Sequence, residues 1–217
     1  VLLPVLIYKL GPVPDFERVT PDMPTIDVSL EHLEAWISAK ESLVKNIKPN
    51  NEARVVWVDS VRKTDWAIVY LHGFSASHRE GFPVNISIAE KYGMNLYLSR
   101  ISGHGIDDED SFEALTPADM INSAKEALAI GKMIGDKVIL MSCSTGGTYS
   151  IYLAAQQKEW VDALVMYSPN IQLYDRNAKL LSGPWGLTLA RTLIGDYSRY
   201  EENIGTPKEQ YTTSIYR

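Results

Sequence analysis

Short continuous apolar runs alternate along this chain with stretches whose apolar residues recur every three or four positions. Ala67-Ile68-Val69-Tyr70-Leu71 and Val138-Ile139-Leu140-Met141 are unbroken runs, which predict strands buried on both faces of a parallel sheet. Arg54–Val58, Asn95–Leu98 and Ala163–Tyr167 predict three more strands. The helical stretches lie between them. Ser29 is placed to cap a helix reaching about Val44, with Leu33, Trp36 and Ile37 on one face and Glu41–Lys45 as an i,i+4 pair. Pro83 opens and Gly93 closes a helix carrying Ile86, Ala89 and Tyr92. Thr116-Pro117-Ala118-Asp119 combines a cap, a first-turn proline and an acid that can return the cap's hydrogen bond. It starts a helix through about Ile134, with Ile121, Ala124 and Leu128 on one face. Thr145 to about Gln157 predicts another. Strand and helix alternating in this way give an α/β chain with a doubly wound, mostly parallel sheet.

Past Ile171 the rhythm stops. Ser182–Gly186 and Asn203–Pro207 are breakers around one predicted helix, Leu187–Leu193, and no further strand is legible before Arg217. The N-terminal Val1–Tyr8 is apolar but far short of the roughly 20 residues that span a bilayer. It reads either as an arm or strand packed on the body, or as the trimmed end of a signal anchor, with Gly11-Pro12-Val13-Pro14 as spacer. The anchor reading gives a membrane association and favours the cell envelope over the cytoplasm. Three segments result: residues 1–24 (arm or anchor with a Pro-rich spacer), 25–170 (the α/β core) and 171–217.

The chain has 217 residues, 45% of them hydrophobic and 22% charged, enough for one domain with a real core. A net charge of −6 argues against nucleic acid as a partner. Cys143 is the only cysteine, so an intrachain disulfide and a cysteine-rich zinc site are both excluded. Asp107-Asp108-Glu109-Asp110 lacks the spacing of a calcium loop and reads as solvated surface. No metal site and no cofactor motif is expected.

The chemistry concentrates at Ser142-Cys143-Ser144-Thr145-Gly146-Gly147, between a predicted strand and a predicted helix. A serine on such a tight bend stands clear of the sheet, and residues two before and two after it must be small, as Ser142 and Gly146 are. Ser144 is therefore the candidate nucleophile. Cys143 lies off the centre of the motif and is assigned a backbone role. A tetrahedral oxyanion needs two preorganised N–H donors, which are assigned to Phe74, in the His72-Gly73-Phe74 loop after a strand, and to Cys143. His72, Gly73 and His104 are read as loop-shaping residues, and His32 and His78 as surface.

Leu71–Phe74, Arg100-Ile101-Ser102-Gly103-His104-Gly105 and Ser142–Gly147, in this order and at these intervals, resemble the α/β-hydrolase superfamily, and most closely its esterase and monoacylglycerol-lipase-like branch. The match covers roughly residues 50–170. The resemblance implies ester hydrolysis through an acyl-enzyme on Ser144, a small ester or lipid-like substrate, and a cap beginning near residue 171. It also implies an acid and then a histidine after the nucleophile. No histidine follows Ser144, and Asn170 stands where some relatives carry the acid. The last strands, the acid and the base are thus expected outside this chain, which by itself should be almost inactive. A non-catalytic binding protein of the same fold is the alternative.

Overall fold

The computed structural model describes residues 2–13, 15, 17–172, 181, 183–199 and 203–216. Five strands form the main sheet: β1 (Arg54–Val56), β2 (Thr64–Leu71), β3 (Asn95–Leu98), β4 (Gly135–Cys143) and β5 (Ala163–Tyr167). Their spatial order is β1-β3-β2-β4-β5; β1 runs antiparallel to β3, and every other pair is parallel. This is the α/β architecture expected from the alternation. β2 and β4 are longer than their apolar cores because Thr64–Trp66 and Gly135–Lys137 pair with each other at the polar end.

Period-2 geometry sends Ala67, Val69 and Leu71 to one face of the sheet and Ile68 and Tyr70 to the other. The first face packs against α2 (Leu33–Ser42), α4 (Pro117–Ile134) and α5 (Thr145–Gln156) through Leu33, Ile37, Leu128, Ile130 and Leu153. The second packs against α3 (Val84–Tyr92) through Ala89. Both faces of β2 are therefore dry, which is why its sequence shows no alternation. The Thr116 hydroxyl accepts from Asp119 N–H at 3.1 Å and the Asp119 carboxylate accepts from Thr116 N–H at 3.0 Å, closing the expected capping box on α4.

Other local expectations give way to tertiary contacts. Ser29 precedes a 3₁₀ turn, Leu30–His32, and its hydroxyl bonds the His32 ring at 2.9 Å instead of a backbone N–H. Glu41 does not pair with Lys45. Its carboxylate takes both arms of the Arg100 guanidinium at 2.7 and 2.9 Å and the Ala53 N–H at 2.9 Å. With side chains only 7% and 13% exposed, Arg100 and Glu41 form a largely buried pair that ties α2 to the loop after β3. Removing one partner strands the other, so Glu41→Ala should cost about 3 kcal/mol in urea unfolding. Lys63→Ala, at the mostly exposed pair with Asp136, should change little.

The N-terminal segment is a helix, α1 (Leu2–Lys9), not a strand. Leu6, Ile7 and Leu10 are each more than half exposed. Its contact is with Trp185, whose indole N–H donates to the Ile7 carbonyl at 3.1 Å and whose backbone N–H donates to the Pro12 carbonyl at 2.9 Å. Among the described residues no helix is long and apolar enough to cross a membrane.

Beyond the sheet, α6 (Gly186–Ile194) contains the expected Leu187–Leu193 helix. No residue pattern announced β6 (Ser198–Arg199) and β7 (Ile215–Tyr216), which pair antiparallel as a small ribbon apart from the main sheet. Residues 206–216 return to the body: the Lys48 ammonium donates to the carbonyls of Glu209 and Thr212, and Thr213 N–H donates to the Ser75 carbonyl at 2.7 Å. Ser75 belongs to the loop that follows β2, beside the candidate site.

Candidate active site

Ser144 joins β4 to α5 with φ 48° and ψ −115°, a conformation that L-residues with side chains rarely adopt. The surroundings hold it there. Ser144 N–H donates to the Tyr167 carbonyl at 3.0 Å, while the Ser144 carbonyl accepts from Gly147 N–H and Asn170 N–H, each at 2.9 Å. A β-carbon on Gly146 would sit 2.0 Å from the Leu71 carbonyl oxygen, so only glycine lets α5 start against the end of β2. Ser142 is buried and accepts the Ser150 hydroxyl at 2.9 Å. Ser144 itself is half-buried, at the carboxyl ends of the parallel strands, where sheets of this kind place ligands.

Gly73 lies directly over Ser144. A β-carbon built on it would be 3.3 Å from the Ser144 β-carbon and 3.4 Å from Oε2 of Glu80. The His72 ring supports this loop from below. Its Nδ1 lies 2.9 Å from the Gly73 carbonyl, and its Nε2 accepts Ile101 N–H at 3.0 Å, so the neutral ring carries its proton on Nδ1. His104 likewise directs Nδ1 at the Ser102 carbonyl, 2.8 Å away, and sits among His72, Phe74 and Phe112, with ring centroids 4.6–5.4 Å apart. Phe74 also packs on Phe112 and on Tyr216 of β7 at 4.9 and 5.4 Å, a wall of rings beside Gly73.

The structure brings Ser142, Ser144, Gly146, His72, Gly73, Phe74 and His104 together. Cys143 is the exception to its assigned role. It is the last residue of β4, paired in register with Tyr167, and it precedes Ser144. Thr145 is the first residue of α5, where an N–H has no intrahelical acceptor. The strand-to-helix turn thus leaves the N–H of Thr145, two positions after Cys143, without an intrahelical acceptor. The signal for Thr145 was present: it directly follows the candidate nucleophile. Burial, and then the carboxyl of Glu80, push the Cys143 thiol upward, so it stays protonated.

Two further residues were missed or misplaced. His78, read as surface, is buried, with Nε2 3.1 Å from the Glu52 carbonyl. Glu80 lies in the short 3₁₀ helix His78–Gly81, and its Oε1 accepts Gly73 N–H at 2.6 Å and the Tyr70 hydroxyl at 3.4 Å. Burial raises the Glu80 pKa against the opposing pull of these two hydrogen bonds. Nothing in the local pattern marked Glu80, since its partners come from β2 and the following loop.

Desolvation holds His72 well below the ordinary imidazole range, His78 at about 3 and His104 at about 4. In the unfolded chain these rings bind protons below about pH 6.5, while the folded chain does not. Stability should therefore be fully present above about 6.5 and fall as pH drops from there towards 4. Glu80, with its raised value, works in the opposite sense near the acid end of that window. Melting temperatures from pH 8 to 4 check this; a flat profile would show that the histidines are accessible in the native state.

No protein-family model matches the chain, and no curated protein does. Solved structures do. The structure reported for the metagenome-derived lipolytic enzymes LipS and LipT superposes with a TM-score of 0.55 at 18% identity, over 63% of this chain and 53% of that one. A monoacylglycerol lipase of Paleococcus ferrophilus aligns at 15% identity and TM-score 0.48, over 76% of this chain and 64% of that one. Est1E of Butyrivibrio proteoclasticus, solved with ferulic acid, aligns at 19% identity and TM-score 0.47, over 64% and 52%. The chain has the α/β-hydrolase fold. It spans about half the length of the lipolytic structure it superposes on.

Proposed function

We propose that the protein is a serine hydrolase of carboxylic esters, with Ser144 as nucleophile. The observation that carries this reading is the strained backbone of Ser144 on a strand-to-helix turn, with Gly73 of the β2 loop packed over its β-carbon. Strain of that kind persists only where surrounding contacts enforce it, and here it lifts one hydroxyl out of the sheet.

In this reading Ser144 Oγ attacks the ester carbonyl and the carbonyl oxygen becomes an oxyanion. The N–H groups of Phe74 and Thr145 receive it, and neither donates a hydrogen bond among the described residues. The alcohol leaves, and water then hydrolyses the acyl-enzyme. Phe74, Phe112 and Tyr216 form an apolar wall suited to an acyl chain or aromatic acid. The fold of the lipolytic structure agrees with a small ester or lipid-like substrate, and residues from about 171 act as the cap.

The proton of Ser144 needs a base. His72, His78 and His104 are buried, held by backbone carbonyls and kept neutral, and His32 is exposed at the start of α2. The proposal therefore takes the base and its acid from outside residues 1–217. The same observation favours the second reading, a non-catalytic protein of this fold. A fluorophosphonate applied to the natural full-length protein separates them: covalent labelling mapped to Ser144 supports the hydrolase, and no labelling of folded protein supports the binding module.

A further inference from the structure

We propose that Glu80 is a positioning residue for the oxyanion hole: its carboxyl group clamps the Gly73 N–H and so fixes the peptide that presents the Phe74 N–H above Ser144. This rests on the hydrolase reading and names a residue for that reaction outside the nucleophile motif.

The peptide between Gly73 and Phe74 is held through its carbonyl, and the one before it through its N–H. Its carbonyl accepts from the His72 ring at 2.9 Å and from Ala76 N–H at 3.3 Å. In the preceding peptide, Gly73 N–H donates to Glu80 Oε1 at 2.6 Å, a short hydrogen bond. With the carbonyl and the preceding N–H both tied, rotation of the peptide plane would break a hydrogen bond, and the Phe74 N–H is left as its free donor. A β-carbon at Gly73 would lie 3.3 Å from the Ser144 β-carbon and 3.4 Å from Oε2 of Glu80, a tight fit between the two.

Glu80 is itself rigidly mounted. Ser77 caps its 3₁₀ helix by accepting Arg79 N–H at 3.3 Å, and the Ser77 hydroxyl is bonded to Asn51. Tyr70, fully buried in β2, donates its hydroxyl to the same Glu80 oxygen. Tyr70 and Cys143 are the other titratable groups facing the carboxyl, and both stay neutral because burial pushes them upward. Burying a carboxyl beside a site where negative charge develops is costly, and holding the donor loop offsets that cost.

The test uses the natural full-length protein and p-nitrophenyl acetate, with Ser144→Ala as the control for the underlying reading. Glu80→Ala should lower kcat about 100-fold with KM little changed, the scale of a displaced catalytic group. Glu80→Gln keeps an oxygen that can accept the Gly73 N–H and should retain kcat within about tenfold of the parent, a milder loss than a missing oxyanion donor. Affinity for a trifluoromethyl ketone, which forms a tetrahedral oxyanion on serine, should fall with kcat across the series. Glu80→Asp withdraws the acceptor by one methylene and should resemble Glu80→Ala; it carries the test if the alanine variant does not fold. Parent kcat in Glu80→Asp, or a loss of kcat without loss of ketone affinity, overturns the proposal while Ser144→Ala is inactive. Hydrolysis retained by Ser144→Ala would overturn the hydrolase reading and this inference together.

Discussion

Ser144→Ala is expected to abolish ester hydrolysis in the full-length protein while leaving its melting temperature close to that of the parent. The hydroxyl is the only atom removed, and the backbone hydrogen bonds that hold the turn come from the Ser144 N–H and carbonyl, which alanine keeps. Loss of a nucleophile acting with its base typically lowers kcat by roughly 10⁶-fold, to the level left by binding and the oxyanion donors. Cys143→Ala is the informative neighbour. Its thiol is kept protonated and its backbone belongs to β4, so most activity should remain. Turnover of p-nitrophenyl esters and labelling by a fluorophosphonate measure both variants. Full activity in Ser144→Ala, or loss of labelling only in Cys143→Ala, would move the nucleophile elsewhere.

Gly146→Val should be the most damaging substitution for stability near the site. Its first added carbon would lie 2.0 Å from the Leu71 carbonyl oxygen, 2.7 Å from the Leu71 carbonyl carbon and 2.8 Å from the His72 carbonyl oxygen. These are backbone atoms at the end of the central strand, with no rotamer to adopt, so α5 must shift away from β2. Overpacking costs typically 1–3 kcal/mol and more where the neighbours cannot yield. At about 3 kcal/mol, a chain of this size should melt roughly 6–12 °C lower. Labelling of Ser144 should fall as well, because the same shift carries Thr145 N–H away from the site. An unchanged melting temperature would mean that the helix start is looser than this packing implies.

Much of this was legible before any coordinates. The unbroken run at Ala67–Leu71 announced a strand covered on both faces, and β2 is the central strand, with α4 and α5 on one side and α3 on the other. Ser142, Ser144, Gly146 and Gly147 sit within six residues, so the bend could be read from local size alone. The capping box at Thr116 and Asp119 is equally local and formed as expected. Glu41 shows the limit of that kind of reading. Spacing offered it Lys45, but a flexible surface pair gains little, and the bidentate, mostly buried partner was Arg100, 59 residues away.

The sequence by itself determined the alternation of strands and helices in the core and the serine on its turn, because each depends on side-chain period or residue size within a few positions. The loop of His72 and Gly73 was linked to that serine only through the family resemblance. Only the tertiary structure decided that His78 is buried, that residues 206–216 fold back against Ser75, and that Glu80 grips Gly73. Those outcomes depend on which segments meet in space. A hydrogen bond between a loop and a carboxylate seven residues on has no period to announce it, and burial of a polar ring is known only once its neighbours are in place.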